Sequence, residues 1–368
     1  MSIISKPIQL SSDFQFASSI AASITQESFY IVTPGRNRDS NYLAVVDVST
    51  GVPALANSLT KQYDSNRFIN VMCCPYDNDN SFNGALANSG PPGQLSTGHI
   101  TYASLEDYGF SNEKDISIYN DDVGTGFYTA DYDDYNKRIC FGGSRLFHNG
   151  APEVFYVLVN TTVGDESEST SIHNYAYFTP EPKPVSLSKN GRVYIQGIND
   201  KADSVILCYK LSTFKYGKDI PNDVSPQYSL IETFTLIDNI NNLLYVVPVT
   251  QAKTGGSIYY MDIKIVDTAT NDTSGHMPRF FTPDLPLSSF IDEQRGKIYV
   301  ICLTSIMVID AMSQKQTQTI NIPLSSGEQI IQAQINRDRN CILVAATDES
   351  RDSPVNCYVV YNPDQVGQ

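Results

Sequence analysis

Ile291-Asp292-Glu293-Gln294-Arg295-Gly296-Lys297-Ile298-Tyr299-Val300, with Ser305-Ile306-Met307-Val308-Ile309-Asp310 close behind, is the clearest copy of a pattern that repeats along the chain. Two short apolar stretches flank a polar turn and read as a hairpin, and the second run, ending in Asp, adds a third strand. The same hairpin pattern recurs at Ile24–Val32, Tyr132–Phe141, Leu187–Ile195, Ile237–Val247 and Ile335–Val344. Aligning Tyr30, Cys140, Tyr194, Tyr245, Tyr299 and Leu343 gives gaps of 110, 54, 51, 54 and 44 residues. The first gap is two periods, so a degenerate copy is expected near residue 85, between Val71 and Ala87.

The third-strand runs keep the same beat. Leu43–Asp47, Ile100–Ser104, Tyr156–Asn160, Ile206–Lys210, Ile263–Asp267, Ile306–Asp310 and Tyr358–Asn362 each end in a polar turn, 43 to 57 residues apart. A repeat of that length implies a radial array of small sheets. The expected fold is all-β: a seven-bladed β-propeller of four-stranded antiparallel blades. Outer strands are expected at Gln316–Ile322 in the sixth unit and at Tyr228–Phe234 in the fourth. The seventh unit lacks one, and the unassigned Lys6-Pro7-Ile8-Gln9-Leu10 is placed to supply it and close the ring. The blades divide the single domain, 1–368, at about 14–65, 66–122, 123–181, 182–235, 236–284, 285–327, and 328–368 plus 3–12. A β-sandwich pair handles the near-regular period poorly, and the period-2 pattern excludes helical solenoids.

The stretches Gly296–Val300, Ser305–Asp310 and Gln318-Thr319-Ile320 resemble the YVTN-type propeller repeat, and Val266–Asn271 and Val46–Gly51 look like the same turn. The likeness is good in units one, five and six and poor in two and three. It implies a fold and no activity. The chain has no Trp, so the Trp-Asp pairs of WD repeats are missing.

Composition narrows the function. A formal charge of -15 lacks the clustered Lys and Arg that a nucleic-acid binder needs. No segment approaches the roughly 18 apolar residues of a membrane span. Seven Cys is an odd count, and five of them lie in apolar strand-like runs where a thiol packs as a hydrophobe. With no signal-peptide pattern at the start, a reducing, cytoplasmic setting is expected.

In a propeller the loops between second and third strands, and those between blades, share one face. On it fall Arg36, Arg38, Arg145, His148 and Arg279, cations that would hold a carboxylate, a phosphate or an acidic protein segment unless neighbouring loop carboxylates balance them. No His pair has metal-ligand spacing and no Ser or Cys sits in a nucleophile elbow, so no catalytic residue, resident metal or cofactor is assigned. Asp77 and Asp79, with Asp121 and Asp122 ahead of Asp131 and Asp133, offer alternating oxygens that suit Ca²⁺, but turn capping explains them equally well. The expectation is a non-catalytic interaction or scaffold propeller binding a protein partner or small anionic ligand on its loop face. Two alternatives stand beside it: a lactonase-like hydrolase at the channel mouth, drawing on Arg145 and His148, and a carbohydrate-binding lectin.

Overall fold

Continuous apolar runs with period-2 alternation need neighbours on both faces, and stacked sheets supply them. In the computed structural model, the described residues are 3–12, 19–23, 27–34, 41–61, 68–73, 84–89, 99–106, 109–117, 124–133, 135–146, 152–160, 170–173, 185–198, 203–213, 215–348 and 353–364. Among them the regular elements are all strands, paired antiparallel in seven sheets. In strand order these are Ser19–Ser23, Ser28–Pro34, Asn41–Asp47 and Ala54–Lys61; then Phe68–Cys73, Gly84–Ser89, His99–Glu106 and Gly109–Ser117. The third holds Gly124–Asp133, Arg138–Leu146, Pro152–Asn160 and Thr170–His173, and the fourth Val185–Ser188, Arg192–Ile198, Ser204–Lys210 and Tyr216–Pro221. The fifth holds Tyr228–Asp238, Leu243–Ala252, Lys264–Asp267 and Thr273–His276, and the sixth Pro286–Asp292, Lys297–Cys302, Ser305–Asp310 and Lys315–Asn321. The seventh runs Gln329–Asn336, Cys341–Thr347 and Asn356–Tyr361, and its outer places are taken by Ile3–Ile4 and Ile8–Gln9 from the other end of the chain.

The fold is a β-propeller of four-stranded antiparallel blades. Six sheets keep the plain strand order, while the fifth carries two extra strands, Tyr259–Met261 and Phe280–Thr282, on its second strand. The first strand of each sheet lies against the first strand of the next, and Gln329–Asn336 also touches Ser19–Ser23. The expected hairpins pair in register, as Leu187 with Val193, Ile291 with Ile298 and Ile335 with Ile342. The degenerate copy pairs too, Val71 with Ala87.

One strand corrects the sequence reading. Tyr228–Phe234 is no outer strand of the fourth unit; it begins the innermost strand of the fifth sheet, so the boundary at 235/236 falls inside an element. The true outer strand, Tyr216–Pro221, reads Tyr-Gly-Lys-Asp-Ile-Pro, whose Gly, Lys, Asp and Pro are poor strand formers, and only Ile220 of the six is buried.

Alternation distributes each second strand between two interfaces. Ile298, Val300 and Cys302 pack with Tyr245, Val247 and Val249 of the fifth sheet, while Tyr299 and Ile301 pack with Ile342, Val344 and Ala346 of the seventh. The turns close on side-chain caps. Asp133, Asp238, Asp292 and Asn336 end first strands and accept backbone N–H bonds from Tyr135, Asn241, Arg295 and Arg339 at 2.9, 2.9, 3.1 and 3.1 Å. Asp267 and Asp310, ending third strands, accept from Ala269 and Ser313 at 2.7 and 2.6 Å. This capping explains why the aliphatic runs end in Asp. Gly296, at φ +60°, takes the left-handed place that finishes the 292–297 turn.

Gly142 is held for a different reason. A Cβ there would lie 2.6 Å from both Thr129 Cγ2 and Tyr156 Cε1. Gly142→Ala should therefore destabilise by about 1–3 kcal/mol through overpacking, read as a lower urea midpoint at unchanged m-value. An equal or higher midpoint would mean that the Tyr156 ring yields freely.

Candidate functional site

Of the sequence-predicted cations, Arg36, Arg38 and His148 lie outside the described residues, as do the Ca²⁺ candidates Asp77, Asp79, Asp121 and Asp122. Arg145 sits within the second strand of the third sheet, opposite Thr125 and Glu153 in register, and its side chain lies outside the description. Arg279 is fully placed. It stands between the last strand of the fifth sheet proper and the extra strand Phe280–Thr282.

Arg279 grips Asp262 bidentately, Nε to Oδ1 at 2.8 Å and Nη2 to Oδ2 at 2.9 Å, and its Nη1 donates to the Tyr228 hydroxyl at 2.9 Å. The guanidinium lies 4.9 Å from the Tyr228 ring centre and 5.7 Å from that of Tyr260, and the two rings are 5.3 Å apart. The Asp262 carboxylate holds the guanidinium above its ordinary pKa. Directly across from Tyr260 in the strand pair stands Phe281, 65% exposed. The extra strands thus assemble an exposed cation-aromatic cluster at the end of the disc where Tyr228 starts its strand.

The opposite end of the same strand opens on a cavity between the sheets. Tyr228 and Asp238 are separated by the whole strand, about 33 Å at ~3.3 Å per residue. Here, among the described residues, the first strands of six sheets line a cavity of about 370 Å³, with Ala22, Asp131, Tyr132, Ser186, Thr235, Phe290, Glu293, Gln334 and Arg337 among its lining residues. Its rim is stitched from blade to blade. The Leu187 N–H donates to Asp131 Oδ2 at 2.8 Å, the Lys189 N–H to Asn239 Oδ1 at 2.8 Å and the Asn239 N–H to Glu293 Oε2 at 2.9 Å. Arg337 Nη1 donates to Glu293 Oε1 at 3.3 Å, and Asn336 Nδ2 to the Ser23 carbonyl at 3.4 Å. Burial raises the Glu293 carboxyl, with Arg337 acting against it. Asp131 is pushed up to about 7, chiefly by burial, against the N–H groups of Leu187 and Tyr132 and the charge of Arg337, with Asp133 adding to the rise.

Sequence reasoning took Asn239, Glu293 and Arg337 only as turn residues and Asp131 as a Ca²⁺ candidate. The register supplies the missing signal. Opposite the aligned positions Tyr30, Cys140, Tyr194, Tyr245, Tyr299 and Leu343 stand Ala21, Asp131, Ser186, Leu236, Phe290 and Gln334. In that series only Asp131 is ionisable. No group of three or more His, Cys, Asp or Glu arranged for a metal occurs among the described residues. Cys140, Cys208, Cys302, Cys341 and Cys357 are buried free thiols; burial pushes Cys302 up to about 11 and Cys341 and Cys357 up to about 12. They pack as hydrophobes, as the sequence led us to expect.

No known family matches the sequence, and no curated protein does. Among solved structures the chain is similar to Raptor from Chaetomium thermophilum, with a TM-score of 0.59 at 10% identity. The match covers 96% of this chain and 28% of that one. At that identity the likeness shows the fold alone. In all, 624 solved chains match, so the architecture is too widely shared to single out one activity.

Proposed function

We propose that this chain is a non-catalytic interaction propeller whose seven sheets close into one ring, and that it engages a protein partner at the fifth sheet. The contacts between successive first strands and the pairing of Ile3–Ile4 and Ile8–Gln9 with Asn356–Tyr361 support closure. Tying the two ends of the chain into one sheet gives the disc the rigidity that a docking platform needs. The observation that carries the binding reading is the Arg279 cluster. Tyr and Arg dominate interface energetics, and rigid rings bury much area at little entropic cost. Because Asp262 already meets the Arg279 charge, the cluster suits a folded protein surface better than a free anion. The five buried, unpaired thiols fit a reducing compartment such as the cytoplasm.

The test is capture of partners by the full chain, compared with Arg279→Glu and Phe281→Ser. Loss of a hot spot should weaken binding of any directly bound protein about 30-fold or more, measured by biolayer interferometry on the purified pair. Unchanged affinity in the double variant would place the interface elsewhere. Lactone turnover by the wild type that collapses in Arg145→Ala with His148→Ala would instead favour the hydrolase reading.

A further inference from the structure

We infer that the channel mouth at the tight-turn end of the disc binds a small organic cation, a primary ammonium or guanidinium compound whose charge meets the carboxylate of Asp131. The site lies at the other end of the inner strands from the Arg279 cluster and stands independently of it.

The cavity, about 370 Å³, falls at the small end of metabolite pockets, which run from roughly 300 to 1,000 Å³. It holds a molecule of metabolite size and excludes a folded chain. Its charges fix the ligand's sign. Glu293 and Arg337 are paired with one another, and the second oxygen of Glu293 takes the Asn239 N–H. Asp131 accepts the Leu187 N–H on one oxygen and forms no ion pair among the described residues. Arg337 acts on Asp131 across the cavity but is itself paired with Glu293, so the Asp131 carboxylate has no ion-pair partner of its own among the described residues, a place that an ammonium or guanidinium group satisfies. Tyr132 and Phe290 give the lining apolar area for the ligand's body, and Ser186 and Thr235, whose hydroxyls are hydrogen-bonded to one another at 2.7 Å, give it polar area.

The repeat supplies a second, independent argument. Blade construction at this position is met by Ala21, Ser186, Leu236, Phe290 and Gln334 in other units, so no sheet requires an acid there. Asp131 departs from the repeat at the point where the strands enclose a cavity.

The carboxyl is faced by Asp133 on its own strand, Cys140 on the second strand of its sheet, and Glu293 and Arg337 across the cavity. Lys189 of the fourth sheet is turned onto the Tyr135 ring, 5.7 Å from its centre. Binding of a cation should therefore tighten as Asp131 ionises.

Isothermal titration and thermal melts of the full chain at pH 8, with agmatine, putrescine and spermidine as probes and citrate and glucose as controls, test the site. At least one amine should bind and raise the melting midpoint, with neither control doing so. Asp131→Asn, whose amide oxygen still accepts the Leu187 N–H, should weaken binding at least tenfold, and lowering the wild type to pH 6 should weaken it about tenfold. Gln334→Lys, which keeps Asp131 and offers it an internal ammonium, should compete with the same amine and so reports even if the Asn variant folds poorly. No amine binding at millimolar concentration, or equal binding by the Asn variant, overturns the proposal. Retained amine binding in Arg279→Glu separates this site from the protein-docking face.

Discussion

Asp131→Asn should leave the unfolding midpoint unchanged near pH 4 and raise it by several degrees at pH 8. Burial lifts the Asp131 carboxyl to about 7 in the folded chain. The folded state therefore holds this proton more tightly than the unfolded state does, and the associated stability is greatest at low pH. It is lost as pH rises from about 4 through about 7. A shift of that size corresponds to at most about 4 kcal/mol, and water reaching the carboxylate through the channel reduces it to about 1–3 kcal/mol. Asn keeps the acceptor for Leu187 and removes the charge. Urea unfolding of both proteins from pH 4 to 8 isolates this group, because all other titrations cancel in the difference. A variant less stable than wild type at pH 8 would show that the carboxylate is ionised and already compensated within the fold.

Tyr299→Ala should cost about 3–5 kcal/mol, whereas Tyr299→Phe should cost almost nothing. Tyr299 is fully buried in the cluster that joins the sixth and seventh sheets, so truncation removes packing from an interface and not from one blade alone. Its hydroxyl is buried with no hydrogen-bond partner among the described residues, so Phe removes an unsatisfied polar atom while keeping the ring. The contrast between the two variants, measured by urea denaturation, distinguishes ring packing from the hydroxyl. Equal losses would reveal a partner for the hydroxyl, and a negligible loss in Ala would show that the blades pack independently.

Much of this architecture is legible in the sequence because each blade is built from local patterns. The hairpin around Ile291–Val300 pairs as read, since the Asp292 cap and Gly296 at positive φ fix its register within a few residues. The degenerate hairpin of the second unit was located by period alone. Tyr228–Phe234 differs from the expectation because alternation marks a strand without saying which blade owns it, and the true outer strand carries little hydrophobic signal. The candidate sites divide likewise. Arg279 was visible as a loop cation, yet its bidentate hold on Asp262 and its stacking on Tyr228 depend on two extra strands that no repeat announces. Asp131, Glu293 and Arg337 come from separate repeats and read singly as turn residues.

The strands, their tight turns and the period that makes the chain a propeller are written in local sequence, because alternation, Asx caps and glycine at positive φ act within about ten residues. Which side chains share a cavity depends on how the blades pack. Among the described residues the cavity is lined by single strands from six sheets, so its chemistry depends on residues up to about 300 positions apart that meet only when the blades pack. The hydrophobic repeat brings those positions together, and the residues that depart from the repeat give the mouth its charge.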